Sequence, residues 1–508
     1  MADKDALVIG TGLQGLATAL MLARAGAKVS LLDAPSPALG ARADDEFYEG
    51  FALGACPHPP ISVSMSLLRK LGLNDMTNQG HIVHLTQGDE EETLVLPLTP
   101  EEASDLFGEN PKQYEDFWRI LGQVALIVAS SLKTTPTHHS RSWQDIWQVY
   151  GTAAQLAGQP EEVQKAFANL FRLSVVDYVN QSLSSPAYQQ ALISEVAFDL
   201  QSNPMAPGSA AGLLDLAWQS IGGLVLRTGV EALRERLKTL CTEAGVTDRT
   251  GMIPLSLLVE QGFVRGVKTT EGQDLRASRV LADIPAPQLF LDLLPRDAIP
   301  VDLRVRLENE SNQTPYVRLK LALKTWPKSM KEDAILNKTG YRMVGLDAVA
   351  MAKAYGEART QGGSTEPLIH IALVEPMDTN RQPMLSVLGA YINPELPRTT
   401  QNRLAAAKGV MERIKALYPD LEPEIDGFAV FLGEEIERIF GLQPRATSKG
   451  GAGFSSMLAQ TQFWHRTQEG HGLQNLYLLG QGPESVISYF HARDAERITA
   501  LVSSDLAL

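Results

Sequence analysis

The chain has 508 residues, 44% of them apolar and 20% charged, which is typical of a folded globular protein with more than one domain. Its formal net charge of −14 opposes binding to nucleic acid and broad attachment to anionic lipid, because both need a basic surface. Only two cysteines occur, Cys56 and Cys241, so a zinc ribbon is excluded and a reducing compartment is expected. We predict a cytoplasmic protein in which both cysteines are packing residues.

The first predicted unit runs strand, glycine turn, helix, strand. Residues 5–9 (DALVI) are typical of a short buried parallel strand. Residues 16–25 (LATALMLARA) are strong helix formers, and residues 28–33 (KVSLLD) predict a second strand. Between the first strand and the helix lies GTGLQG, at residues 10–15. This order of elements is the context that a dinucleotide-binding glycine motif requires.

Each glycine of this motif has a physical reason. Gly10 permits the tight turn out of the strand, Gly12 permits close approach of the backbone to a pyrophosphate, and Gly15 permits close packing of helix on sheet. The helix amino terminus, at Leu13 and Gln14, offers free N–H groups to the phosphates. Asp33 ends the second strand, where a carboxylate accepts hydrogen bonds from ribose hydroxyls. These residues predict dinucleotide binding.

The segment after Asp33 indicates which dinucleotide is bound. Residues 34–42 read APSPALGAR, and they resemble the leucine-glycine-glycine segment of FAD oxidoreductases of the amine-oxidase and phytoene-desaturase type. Gly40 matches the first glycine, Ala41 replaces the second, and Arg42 is placed to pair with the pyrophosphate. The resemblance implies FAD, with the segment from Ala34 to Arg42 beside it.

The likeness extends over nearly the whole chain. It resembles the phytoene-dehydrogenase-like flavoproteins, especially the branch named pyridine nucleotide-disulfide oxidoreductase domain-containing proteins. Its further landmarks are GFALGA at 50–55, SNPMAPGS at 202–209, a hairpin and strand at 251–283, RLKLAL at 318–323 and LYLLGQG at 476–482. The resemblance implies an α/β fold, with a discontinuous Rossmann-type FAD-binding domain and a mixed α+β substrate-binding domain.

The predicted division follows from these landmarks. Residues 1–100, 225–300 and 441–508 are assigned to the FAD-binding domain. Residues 101–224, which are rich in helical periodicity, and residues 301–440 are assigned to the substrate-binding domain.

The family's remaining cofactor contacts can be carried over residue by residue. Ile253 would meet the adenine through its backbone. Gly480 and Gly482 would let the chain approach the ribityl chain and pyrophosphate, and Gln481, also expected at the cofactor, stands between them where the family commonly has an acid. Ile487 and Ser488, at the start of the last helix, would direct N–H groups to the flavin O2.

The chain departs from the family's pattern near the flavin ring. Where most members have a histidine-proline-glycine-glycine-glycine run, residues 483–490 read PESVISYF. His491 is a candidate proton donor beside this segment, and Tyr489 is a candidate wall of the substrate site. This departure puts the chemistry in question more than FAD binding.

Three functions stay open at this point. The first is a dehydrogenase or desaturase that transfers a hydride from an apolar or extended substrate to flavin N5, with oxygen, a quinone or a nicotinamide as final acceptor. The second is an amine-oxidase-like flavoenzyme. The third is a flavin-fold protein with weakened catalysis that binds a ligand or partner. An apolar small molecule is the expected partner, peripheral membrane contact is open, and no metal is expected.

Overall fold

The computed structural model describes most of the chain. The described residues are 4–32, 46–52, 61–73, 82–84, 99–133, 154–220, 223–226, 230–284, 288–309, 316–333, 336–337, 340–373, 383–393, 396–397, 399–433, 435–436, 473–479 and 491–506.

These residues form an alternation of helices and strands. The strands are β1 Lys4–Ile9, β2 Val29–Leu32, β3 Glu46–Tyr48, β4 Phe51–Ala52, β5 Ile61–Ser64, β6 Ile82–His84, β7 Gly223–Leu226, β8 Thr247–Arg249, β9 Pro254–Glu260, β10 Phe263–Thr269, β11 Asp274–Ala282, β12 Val317–Leu323, β13 Tyr341–Val344, β14 Ile369–Leu373, β15 Met384–Gly389, β16 Ile425–Leu432 and β17 Leu476–Leu478. The helices are α1 Leu13–Arg24, α2 Met65–Leu71, α3 Pro100–Phe107, α4 Pro111–Lys133, α5 Glu161–Leu170, α6 Val175–Ser182, α7 Pro186–Leu200, α8 Leu213–Ser220, α9 Val230–Glu243, α10 Val301–Asn309, α11 Lys328–Lys331, α12 Ala348–Gln361, α13 Thr400–Leu417 and α14 His491–Leu506.

The first sheet contains the predicted amino-terminal unit. Its strand order is β8–β2–β1–β11–β10–β9, and β17 also pairs with β11. Strands β8, β2, β1, β11 and β17 run parallel, whereas β9, β10 and the start of β11 form an antiparallel meander. The carboxyl ends of the parallel strands therefore meet at one edge, where such sheets bind ligands.

Both faces of this sheet are covered. Helices α1, α9 and α14 pack on one face, where Leu16, Leu20, Leu237 and Ile498 are buried together. The meander, residues 288–294 and α10 cover the other face, with Phe290 at its centre. Two buried faces explain why residues 6–9 of β1 and three of the four residues of β2 are apolar.

A second sheet has the order β13–β14–β15–β12–β16 and is antiparallel throughout. Helix α13 packs on one face of it, where alternate residues of β12, such as Leu319 and Leu321, meet Val410 and Ile414. A third sheet, β5–β7–β6, and the β3–β4 hairpin complete the described strands.

Helices α3 to α8 and α12 form a layer beside the second sheet, around one aromatic-rich core. Several begin with side-chain caps; for example, Thr99 and Glu102 form a reciprocal capping box at the start of α3. The core reaches Leu388, on β15 of the second sheet, and Tyr391, just after that strand. The helical layer therefore closes over one end of that sheet.

The structure confirms the predicted α/β fold class. It contains the strand, helix and strand predicted at the amino terminus, and the hairpin and strand predicted at 251–283 as β9, β10 and β11. The division into two domains with the bounds given above stays a prediction.

Candidate functional site

The glycine turn leaves β1 at its carboxyl end. Gly10 has a φ of 101°, which side chains other than hydrogen rarely tolerate, and its N–H donates to the Leu32 carbonyl at 2.9 Å. A Cβ at Gly10 would lie 2.5 Å from the carbonyl oxygen of Asp283, at the end of β11. The turn therefore requires glycine here both for its conformation and for its contact with β11.

Gly15 brings α1 against the same point. A Cβ on Gly15 would lie 2.5 Å from the Gly10 carbonyl oxygen, so the helix can approach the turn only at glycine. The Gly15 N–H donates to Asp283 Oδ2 at 2.8 Å, and the Asp283 N–H donates to the Ile9 carbonyl at 2.7 Å. Asp283, which is 9% exposed, therefore joins β1, α1 and β11 at the carboxyl edge of the sheet.

The first turn of α1 remains open to an anion. Gly12 is the N-cap, in extended conformation, and its carbonyl accepts from the Leu16 N–H at 3.0 Å. Gly12 itself has no side chain to cap the helix, and the first turn contains no acidic residue of its own; of its amides, that of Gly15 is taken by the Asp283 carboxylate. Among the described residues, the N–H groups of Leu13 and Gln14 meet no acceptor, so they and the helix dipole can hold a phosphate.

The last helix is attached to this turn. The Ala495 N–H, at the fifth residue of α14, donates to Gln14 Oε1 at 3.2 Å. Ala495 is fully buried, and α14 packs along α1. The carboxyl-terminal helix is thus hydrogen-bonded to the first turn of α1.

Several predicted cofactor residues lie outside the described residues: Asp33, Ala34, Gly40, Ala41, Arg42, Gly480, Gln481, Ile487 and Ser488, together with the candidate Tyr489. Two described strands lead to them, because β2 ends at Leu32 and Leu479 donates its N–H to the Ala282 carbonyl at 2.8 Å. His491 is the first residue of α14, and its side chain is outside the description. The roles of these residues stay predictions.

Ile253 lies between β8 and β9. Its carbonyl accepts a hydrogen bond from the Thr270 N–H at 2.9 Å, and its side chain is 39% exposed. The carbonyl is thus already engaged within the meander. An adenine contact through the Ile253 backbone stays a prediction.

The structure also brings together polar residues that the motifs did not indicate. On β12, Arg318 and Lys320 are both 0% exposed, and Arg318 Nε donates to Ser386 Oγ on β15 at 3.1 Å. Nearby on β14, burial lowers the pKa of His370 to about 4, so its imidazole is neutral at pH 7. The sequence signal was the pair of cations in RLKLAL, which alternation alone assigns to a half-exposed strand.

The described part of the chain gives little support for a metal site, a reactive thiol or a membrane span. It contains no group of three or more histidine, cysteine or acidic residues that could hold a metal ion. Burial raises the pKa of the Cys241 thiol to about 12, which fits a packing residue; Cys56 lies outside the described residues. No helix in the described ranges is long and apolar enough to cross a membrane.

Two curated relatives align with most of the chain. The pyridine nucleotide-disulfide oxidoreductase domain-containing protein 2 of Rattus norvegicus is 23% identical, over 94% of this chain and 90% of its own length. The same protein of Mus musculus is 24% identical with the same coverage. No model of a known protein family matches the chain.

Solved structures give the fold. An oxidoreductase from Methanosarcina mazei superposes with a TM-score of 0.52 at 14% identity, covering 97% of this chain and 100% of its own. Putrescine oxidase, in its wild-type form bound to putrescine, gives 0.53 at 12% identity, covering 99% of both chains. The chain has the fold of these oxidoreductases. At such identities the likeness concerns the fold and not the substrate.

Proposed function

We propose that the chain is an FAD-dependent oxidoreductase and that Gly10, Gly12, Leu13, Gln14 and Gly15 hold the pyrophosphate of its FAD. The supporting observation is the turn itself, in which added Cβ atoms at Gly10 and Gly15 would collide with backbone while the first amides of α1 stay open. A turn that only connects two elements rarely needs both close backbone packing at glycine and open helix amides. A turn that binds a diphosphate needs both. Relatives with oxidoreductase names, aligned over 94% of the chain, agree with this proposal.

The remaining FAD contacts in this proposal come from the same sheet edge. Asp33 follows β2 and would bind the ribose, Arg42 would pair with the pyrophosphate, and Gly480 and Ser488 would approach the ribityl chain and ring. Residues 1–100, 225–300 and 441–508 would form the FAD-binding domain, and residues 101–224 and 301–440 the substrate-binding domain. The second sheet and the helical layer would then enclose the substrate.

The proposed reaction is the dehydrogenation or desaturation of an apolar or extended organic substrate. When bound, FAD supplies the acceptor for a hydride from the substrate. The chain's own residues orient the substrate and exclude water, and His491 is proposed to exchange the proton that accompanies the hydride. Phytoene-desaturase-like specificity, a cytoplasmic location and the electron acceptor belong to this proposal as expectations.

Amine oxidation is the second candidate. The observation that favours it is the superposition on putrescine oxidase over 99% of both chains. In this case Tyr489 would form part of the wall around the amine. Release of hydrogen peroxide on addition of an amine would separate this reaction from desaturation.

The test is the absorption spectrum of the purified protein, with the released cofactor identified by mass. A flavin spectrum and the mass of FAD are expected. A colourless protein that stays colourless after addition of FAD would refute the proposal. If light reduces the bound FAD but none of a panel of polyenes, acyl compounds and amines does, the result would favour a ligand-binding protein with weakened catalysis.

A further inference from the structure

Gln14 belongs to the glycine turn and contacts the last helix at the same time. Its N–H, in the first turn of α1, meets no acceptor among the described residues and is available to the FAD pyrophosphate in the proposed function. Its side chain contacts a different element, because Gln14 Oε1 accepts the N–H of Ala495, on α14, at 3.2 Å. One residue therefore joins the proposed phosphate site to α14.

The contact with α14 lies at the edge of a buried core. Ala495 and Ile498 of α14 are both 0% exposed, and they belong to the same core as Leu16 of α1. Apolar packing is not directional, whereas a hydrogen bond is. The bond between Gln14 and Ala495 therefore adds a directional constraint to the position of α14 along α1.

Two further polar contacts of α14 are more exposed. Lys70 of α2 forms an ion pair with Glu496 at 2.8 Å, and the lysine side chain is 60% exposed. At the other end of the helix the Tyr477 hydroxyl donates to Asp505, whose side chain is 40% exposed. Water competes for such contacts, so each contributes less to docking than a hydrogen bond to a buried group. Neither contact involves a residue of the glycine turn.

A ligand at the glycine turn changes the state of the Gln14 side chain. The first amides of a helix have no partner within the helix, and helix ends fray. A bound diphosphate holds these amides, and with them the backbone from which the Gln14 side chain extends. Because Gln14 is then already ordered, its hydrogen bond to Ala495 becomes more favourable. By linkage, docking of α14 strengthens binding of the diphosphate by the same factor.

We propose that Gln14 is a positioning residue that couples the binding of a diphosphate at the glycine turn to the docking of α14 on α1. The inference rests on the proposed function, which supplies the diphosphate as part of FAD. It deepens that function, because His491 begins α14 one turn before Ala495. Occupancy of the ADP half of the site thus sets the position of the helix from which His491 would act.

Hydrogen exchange followed by mass spectrometry measures the docking of α14. The purified protein is compared with its bound FAD, after removal of FAD, and after addition of ADP, which carries the diphosphate but no flavin. We expect removal of FAD to speed exchange in peptides that cover residues 495–502, and ADP to slow it again about five- to tenfold. Peptides from β12, in the second sheet, should not respond. If calorimetry shows that ADP binds while exchange in α14 stays the same, the inference is wrong.

Two substitutions of Gln14 assign the coupling to its side-chain oxygen. Gln14→Met keeps the backbone amide and the length of the side chain but removes the acceptor. ADP should then no longer slow exchange in α14, and by reciprocity it should bind about five- to tenfold more weakly. Gln14→Glu restores an acceptor oxygen, so saturating ADP should again slow exchange, although the added negative charge weakens the affinity for ADP. The same exchange behaviour in both variants would contradict the coupling.

Tyr477→Phe is the matched control, because it removes a hydrogen bond at the opposite end of the same helix. We expect faster exchange around Asp505 with or without ligand, and an unchanged effect of ADP on residues 495–502. Loss of the ADP effect in Tyr477→Phe would mean that the docking of α14 as a whole, and not Gln14, carries the coupling.

Failure of this inference and failure of the proposed function give different results. A protein that binds neither FAD nor ADP would refute the function proposed for the glycine turn. A protein that binds both, with exchange in α14 independent of the ligand, would keep that function and refute only the coupling through Gln14.

Discussion

The Gly15 N–H and the Asp283 carboxylate are hydrogen-bonded at 2.8 Å, although 268 residues separate them in the chain. The contact places a buried acid at the amino terminus of the helix that we propose to face a pyrophosphate. It uses the third amide of α1 and leaves the first two, of Leu13 and Gln14, for the ligand. Asp283 is therefore part of the turn and a neighbour of its proposed anion.

Two substitutions of Asp283 distinguish the effect of its hydrogen bond on FAD binding from the effect of its charge. We expect Asp283→Ala to weaken FAD binding about tenfold, because the buried Gly15 N–H loses its acceptor. Asp283→Asn keeps an acceptor oxygen and removes a negative charge beside the phosphates, so its affinity for FAD should equal or exceed that of the wild type. Titration of apoprotein with FAD, followed by fluorescence, measures both. An equal loss of FAD affinity in Asp283→Ala and Asp283→Asn would contradict the role given to the Asp283 hydrogen bond.

A methyl group at Gly15 should prevent cofactor binding. A Cβ there would lie 2.5 Å from the Gly10 carbonyl oxygen, so Gly15→Ala must move α1 away from the turn. We expect most of the bound FAD to be lost on purification, as measured by the ratio of flavin to protein absorbance. The control is Gly356→Ala on α12, where an added Cβ meets nothing within 4 Å and FAD content should not change.

The helical layer depends on a buried hydrogen bond between two aromatic side chains. Trp118 Nε1 donates to the hydroxyl oxygen of Tyr188 at 3.0 Å, and both side chains are buried. We expect Tyr188→Phe to lower the free energy of unfolding by about 1–3 kcal/mol, because the indole N–H is left without an acceptor. Urea unfolding followed by circular dichroism measures the change.

Tyr355→Phe is the matched control for this variant. The Tyr355 hydroxyl accepts from Arg359, which is near the surface, so water can replace it at little cost. If Tyr355→Phe lowered the free energy of unfolding as much as Tyr188→Phe, the presence of the aromatic hydroxyl, and not its burial, would determine the effect.

His370 should make the stability of the chain depend on pH. Burial lowers its pKa from 6.5 to about 4, so between these values the unfolded chain binds a proton that the folded chain does not. The contribution of the neutral His370 to the free energy of unfolding is complete above pH 6.5. It is lost as the pH falls towards 4, by on the order of 3 kcal/mol in total.

The comparison of wild type with His370→Phe isolates this contribution. We expect the difference between their urea midpoints to shift in favour of His370→Phe as the pH is lowered from 7 to 4.5. The carboxylates titrate in both proteins and cancel. A difference that does not change with pH would mean that His370 is accessible to protons in the folded state.

The elements that the sequence predicted are those whose signal is local. The glycine spacing of residues 10–15, the apolar strand before it and the alternation of residues 252–267 each lie within a few residues. Helix α13, Thr400–Leu417, also begins at a local signal, the side-chain cap of Thr399. Periodicity and caps act within one or two turns, so they can be read without the rest of the chain.

The contacts that the sequence did not reveal are long-range. Nothing near residue 283 indicates that its carboxylate meets Gly15, because that contact exists only once β11 pairs with β1. Arg318 and Lys320 alternate with leucines, a pattern typical of a strand with one face in water, yet both are buried. Their burial depends on the layers that cover the second sheet, and alternation does not encode those layers.

The hydrogen bond between Gln14 and Ala495 also affects how the chain folds during its synthesis. It joins residues 481 positions apart, and β17 supplies a neighbour of β11 from the same late segment. At ribosomal rates the first helix is made tens of seconds before the residues that complete its surroundings. Until then the apolar surface of α1 that α14 covers is exposed. The amino-terminal unit should therefore need protection from aggregation while the rest of the chain is translated, and chains truncated before α14 should be insoluble.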